Sequence, residues 1–174
     1  IKGGSGYAAV ISGGGAINHY PAQQIVSSGE GTAEVLTNTR AQQIVLSGVG
    51  KVITLGQDDN DGHPEQIVSG GTGLVKNIIR GGVQTISAGA VSGYAEIVSG
   101  YKDSNIYHGG TQNVNGAVGN VNILKGGLQV ISKGGADAGL PEGYVNEITE
   151  CGLKNIKDGS GSVYVISSGE QRIN

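Results

Sequence analysis

The chain has 174 residues, 34 of them glycine, with no Phe, Trp or Met and a formal net charge of −3. A core limited to Ile, Val, Leu and Ala suits layered packing of β-branched residues in strands, and abundant glycine without a strict triplet excludes collagen. The 11 Lys and Arg are scattered singly, so no basic stripe exists to neutralise phosphates, and nucleic acid is excluded as a partner class.

Along the chain a short phrase recurs. Residues 23–31 read QQIVSSGEG, residues 42–50 QQIVLSGVG and residues 65–73 EQIVSGGTG. Its core is a β-branched residue followed, three positions later, by glycine. That pattern fits Val10–Gly13, Val26–Gly29, Val45–Gly48, Ile53–Gly56, Val68–Gly71, Ile78–Gly81 and Ile86–Gly89. It continues at Ile97–Gly100, Ile106–Gly109, Ile123–Gly126, Ile131–Gly134, Ile156–Gly159 and Ile166–Gly169. Short strands punctuated by glycine at about nine-residue spacing leave no room for helices of ordinary length. The expectation is a single all-β solenoid over residues 1–174, a parallel β-helix with rungs of about 18–20 residues. Roughly nine coils at ~4.8 Å spacing would give a rod of about 40 Å.

A second regularity precedes each apolar position by two residues. Gln24, Gln43, Gln66, Gln84, Gln112 and Gln129 stand before Val26, Val45, Val68, Ile86, Val114 and Ile131. Residues two apart share a strand face, so stacked rungs would align these side chains in an amide ladder. The glycines that follow would supply positive-φ turns. Two polar stretches interrupt the rhythm, GQDDNDGHP at 56–64 and ADAGLPEG at 136–143, and both read as loops leaving the rod. A left-handed hexapeptide helix does not fit this spacing. No aspartate recurs at a fixed offset after paired glycines, so a calcium-binding nonapeptide roll does not fit either.

Candidate chemistry is sparse. Asp58, Asp59 and Asp61, with Asn60 and His63, form the one acidic cluster; it lacks the alternate ligands and distal Glu of an EF-hand and reads as a solvated loop. His19, His63 and His108 are not paired at ligand spacing. Glu34, Glu96 and Glu147 each precede an apolar residue and should face outward. The single cysteine, Cys151, rules out an internal disulfide and a multi-thiolate metal site, and reads as a turn-adjacent residue. Phosphate-loop, dinucleotide and GxSxG patterns are missing. The sequence therefore points to no catalytic group, no metal and no cofactor. No apolar run approaches the ~18 residues of a membrane-spanning helix. No basic-plus-apolar leader stands at Ile1, and the chain reads as a segment of a longer array.

Units of the form GG-x-Q-x-V-x-x-GG, paired into a repeat near 19 residues, occur as GGVQTISAGA (81–90), GGTQNVNGA (109–117) and GGLQVISKGGA (126–136). With QQIVSSGEG they resemble the passenger repeats of self-associating autotransporter adhesins, the group named for diffuse adherence. SSGEG and LSGVG depart from the paired glycines of that pattern. The resemblance implies a right-handed β-helical rod, secreted and displayed at the bacterial cell surface, and anchored by an outer-membrane barrel outside this segment. It implies adhesion and autoaggregation by self-association with identical passengers on other cells, with host-surface glycans or proteins as further partners. It also implies O-glycosylation by a dedicated glycosyltransferase, for which the matching residues are Ser27, Ser28, Ser69, Ser87, Ser99, Ser132, Ser167 and Ser168. Beside each stands the plainer reading of a small polar turn residue. A polysaccharide-binding or polysaccharide-degrading β-helix and a passive spacer are the alternatives.

Overall fold

The computed structural model describes residues 1–12, 22–37, 40–56, 63–103, 106–123, 127–132, 135–137, 147–149, 153–157, 159–160, 165–167 and 170–174. Every regular element among them is a strand. The first sheet runs β1 (Gly4–Ser12), β3 (Gly29–Thr37), β5 (Val49–Leu55), β7 (Thr72–Ile78), β9 (Ser92–Val98), β13 (Val118–Ile123), β15 (Gly135–Asp137) and β18 (Gly159–Ser160). Two short strands, β16 (Glu147–Thr149) and β19 (Val165–Ser167), extend it. The second sheet runs β2 (Ala22–Val26), β4 (Ala41–Val45), β6 (Glu65–Val68), β8 (Val83–Ser87), β12 (Thr111–Asn115), β14 (Leu128–Ser132), β17 (Leu153–Ile156) and β20 (Glu170–Ile173). From β1 to β9 successive strands alternate between the two sheets, and neighbours within each sheet pair in parallel. This is the β-solenoid, or parallel β-helix, that the repeat predicts.

In the second sheet from β2 to β12 the burial alternates strictly. In β8 and β12 the second and fourth residues are buried and the others half-buried. From β2 to β12 the inward pair of each rung is one glutamine and one aliphatic residue. Val26, Val45 and Val68 stack as one fully buried column, and Gln43, Gln66, Gln84, Gln112 and Gln129 are fully buried beside it. Each amide donates from Nε2 to the Oε1 of the rung before: Gln43 to Gln24 at 2.6 Å, Gln66 to Gln43 at 2.7 Å, and Gln84 to Gln66 at 2.8 Å. Gln112 to Gln84 and Gln129 to Gln112 continue at 2.8 Å. The second Nε2 proton reaches backbone carbonyls of the facing sheet, as from Gln43 to Gly31 and Lys51 and from Gln66 to Gly50. A buried amide without partners costs about 1–3 kcal/mol, so the ladder makes an otherwise unfavourable interior residue compatible with the core.

The ladder also measures the rungs. Consecutive glutamines are 19, 23, 18, 28 and 17 residues apart. The short steps of 17–19 residues thus set the basic rung, close to the 18–20 expected, and two steps are longer. The step of 23 spans 56–64, of which 57–62 lie outside the described residues. The largest step contains a two-stranded antiparallel hairpin, β10 (Gly100–Asp103) and β11 (Ile106–Gly109), which belongs to neither main sheet. Ile106–Gly109, which matches the repeat phrase, is therefore a hairpin strand and not a rung. Residues spent on these longer steps leave eight strands in the second sheet where nine coils were expected. In the expected loop at 136–143, Ala136 and Asp137 belong to β15 and the rest lies outside the described residues.

The first sheet breaks the alternation once in each strand from β1 to β9. In β3, Ala33 is buried, Glu34 is exposed, Val35 is half-buried and Leu36 is buried. Register pairing skips the exposed residue, since Ala33 pairs with Val52 and Val35 with Thr54. Two consecutive residues facing away from the core turn the strand around a corner. Leu36, Leu55, Ile78 and Val98 return inside as a second column against Ala33, Val52, Val75 and Ala95. Val10 and Ile53, expected at interior positions, are accordingly 59% and 43% exposed, and Ile166 is 50% exposed. At Val10 and Ile53 the interior residue, Ile11 or Leu55, lies one or two positions beyond the one that the glycine spacing marks.

Glycine serves two purposes. Gly29 and Gly48 turn the chain from the second sheet to the first at φ 82° and 85°. A Cβ at Gly29 would lie 2.2 Å from the Gly4 carbonyl oxygen of the adjacent rung. The other purpose, not read from the sequence, is close approach of the two sheets. A Cβ at Gly73 would lie 2.3 Å from Val68 Cγ2 and 2.7 Å from Gln66 Oε1. Gly31, Gly50, Gly93 and Gly119 occupy the same register column. The bare backbone of the first sheet thus lies directly over the glutamine and valine columns.

Candidate association surfaces and modification sites

The outward positions of the two sheets differ in chemistry. On the first sheet, Glu30, Glu34, Lys51, Lys76 and Glu96 are half-buried or exposed. Lys51 Nζ reaches Glu30 Oε1 at 2.8 Å, across adjacent rungs, with both side chains over 40% exposed; such a pair contributes at most about 1 kcal/mol. Glu34 accepts a hydrogen bond from Tyr7, which raises the Tyr7 hydroxyl above its ordinary pKa. Glu34 is exposed and Glu96 half-buried, while Glu147 lies in β16. On the second sheet from β2 to β14 the outward positions are Gln23, Ile25, Gln42, Ile44, Glu65, Ile67, Val83, Thr85, Thr111, Asn113, Leu128 and Val130. One residue in that set, Glu65, is ionisable, and its carboxylate accepts a hydrogen bond from Thr85 Oγ1 at 2.8 Å. Gln23 donates to Gln42 at 2.7 Å, a short outer copy of the interior ladder.

Most of the candidate serines fall on one edge. Ser27 and Ser28 follow β2, Ser69 follows β6, and Ser87 and Ser132 end β8 and β14. Ser87, Asn115 and Ser132 are direct register partners. The edge where the second sheet turns toward the first therefore carries a line of hydroxyl and amide side chains. All five of these serines are half-buried. Three hydroxyls are donating already: Ser27 to the Ile1 carbonyl, Ser69 to the Val45 carbonyl, and Ser132 to Asn115 Oδ1 at 2.6 Å. Ser47 lies on the same edge, was not singled out by the repeat, and donates to the Ser27 carbonyl. Ser99 sits at the opposite corner, its amide bonded to the Ile78 carbonyl at 2.9 Å. Ser167 ends β19 in register with Thr149, and Ser168 lies outside the described residues.

Asp58, Asp59, Asn60, Asp61, His19 and Cys151 also lie outside the described residues. His63 is exposed, with Nδ1 3.4 Å from the Gly81 carbonyl oxygen, and His108 belongs to β11. Among the described residues no group of three or more His, Cys, Asp or Glu is placed to hold a metal ion, and no helix is long and apolar enough to cross a membrane. No family model, curated protein or solved structure matches the chain.

Proposed function

We propose that the chain is a stalk and self-association segment of a secreted, surface-displayed bacterial adhesin of the autotransporter kind. The observation that carries this reading is the ladder Gln24–Gln43–Gln66–Gln84–Gln112–Gln129. The phrase that resembles the adhesin passenger repeats is the phrase that stacks the rungs, so its recurrence supports a long scaffold carrying the same surface many times over. A parallel solenoid spaces like side chains ~4.8 Å apart along its axis, which suits many weak contacts added through multivalency. Right-handed winding accords with the general rule for parallel crossovers. The reading includes no catalytic step and no cofactor. Its partners are identical passengers on other cells, with host glycans or proteins as additional ligands and a glycosyltransferase acting on the serine edge.

Two experiments test it. The gene around the segment should encode a leader upstream and alternating apolar strands of an outer-membrane barrel downstream. Cells displaying the chain should clump, with and without glycosylation, and should turn over no polysaccharide. A stand-alone reading frame together with non-clumping cells would overturn the proposal, as would release of reducing ends from a polysaccharide.

A further inference from the structure

Resting on the self-association reading, we infer that the outward face of the second sheet is the contact surface, and that its occupant is the same face of a second copy. In that face Ile25, Ile44 and Ile67 stack in direct register at one end. Leu128, Val130 and Leu153 fill outward positions toward the other end. Between them stand Val83 and Thr85 beside Thr111 and Asn113. Ile25 is 45% exposed although it lies within a strand, and the other described positions of the set are half-buried.

Charge separates the two sheets. The first carries Glu30, Glu34, Lys51, Lys76 and Glu96 outward, whereas the second carries Glu65 alone from β2 to β14. Two copies of the second face can therefore meet with little like-charge repulsion. Size is adequate as well. Eight strands at ~4.8 Å by about five residues at ~3.3 Å give about 600 Å² per copy and about 1,200 Å² in total, the lower range of specific interfaces.

Symmetry supplies the fit. A two-fold axis lying in the interface, parallel to the strands and between β8 and β12, opposes the two faces and inverts the order of rungs. Ile44 then lies over the β17 rung with Leu153, and Ile67 over the β14 rung with Leu128 and Val130. The central Thr85 meets the rung of Thr111 and Asn113, where hydroxyl and amide groups can exchange hydrogen bonds. Glu65 meets β14 rather than its own copy, and Ile25 meets the terminal rung with Glu170 and Arg172. The face offers no aromatic ring to stack on a sugar, and from β2 to β14 no cation for a lipid headgroup, so a second copy suits it better than a glycan or a membrane.

Sedimentation velocity of the full chain from about 1 to 100 μM tests the inference. The wild-type chain should show a concentration-dependent dimer. Ile44→Lys with Ile67→Lys should weaken it at least about tenfold while circular dichroism stays unchanged. Ile44→Thr with Ile67→Thr retains β-branching and serves if the lysines perturb folding. Ile53→Lys on the first sheet should leave association intact. Dimers of undiminished affinity in both second-sheet variants would overturn the face and leave self-association standing. A wild-type chain that stays monomeric throughout would overturn both.

Discussion

Replacing Gln66 by methionine keeps an unbranched side chain of similar length and removes both polar atoms. In the native core Gln66 Nε2 donates to Gln43 Oε1 at 2.7 Å and to the Gly50 carbonyl at 3.1 Å, while its Oε1 accepts from Gln84 at 2.8 Å. The change strands the Gln43 oxygen in a fully buried position, at about 1–3 kcal/mol. The Gly50 and Gln84 contacts add about 0.5–1.5 kcal/mol each; Gln84 keeps its bonds to the Gly73 and Tyr94 carbonyls, which limits its share. The expected loss is about 3 kcal/mol, or roughly 6–12 °C in Tm for a chain of this size. Gln24→Met is the internal control. Gln24 is half-buried, and Gln43 Nε2 still reaches the Gly31 and Lys51 carbonyls without it, so about 1 kcal/mol is expected. Urea unfolding of the two variants measures the difference. Equal midpoints, or a Gln66→Met midpoint close to wild type, would refute the claim that the ladder is a cooperative interior element.

Gly73→Ala should destabilise by about 1–3 kcal/mol through overpacking against Val68 and Gln66, whereas Gly4→Ala, with nothing within 4 Å of the added carbon, should stay within about 0.5 kcal/mol by thermal unfolding. Lys154→Gln should stabilise by about 1 kcal/mol, because Lys154 holds the next register position after Gln129, whose buried Oε1 has no hydrogen-bond partner; an unchanged or lowered Tm would contradict this. The Glu170 carboxyl is held below the ordinary glutamate value by the hydrogen bond from Arg172 and by its charge. A depressed folded-state pKa stabilises above the unfolded value and is lost as pH falls through the folded one. NMR titration should therefore place Glu170 low in the wild type and return it toward the ordinary value in Arg172→Gln. The Tyr7 hydroxyl is shifted the opposite way by Glu34, so its contribution is present below the ordinary tyrosine value and lost as pH rises beyond it. Glu34→Gln should lower the Tyr7 pKa in a spectrophotometric titration.

The second sheet was legible because each of its strands from β2 to β14 obeys one simple rule: glutamine, one residue, aliphatic, then a turn. Period-two geometry carries that rule directly into the observed ladder. The first sheet was less legible because each strand from β1 to β9 contains a corner residue, as at Glu34, Ile53 and Lys76, that shifts the inward phase. The phrase Ile53–Gly56 thus marks an exposed isoleucine, with Leu55 as the buried one. The inward glycines could have been found from the G-x-G spacing of Gly29 and Gly31, Gly48 and Gly50, and Gly71 and Gly73. All were assigned to turns because glycine has two uses that leave the same letter. The hairpin was hidden because Ile106–Gly109 imitates a rung, and antiparallel return is a property of pairing rather than of composition. The alignment of Ser27, Ser69, Ser87 and Ser132 along one edge depends on registers between rungs that unequal insertions obscure in the linear chain.

The central claim is that this rod recognises copies of itself, and a two-colour mixing experiment tests it most directly. Cells of one colour display the chain; cells of the other colour either display it too or carry an empty anchor. The account predicts clumps of mixed colour when both populations display the chain, and clumps of one colour when only one does. Empty-anchor cells incorporated as readily as displaying cells would contradict it, since the partner would then be some other surface molecule.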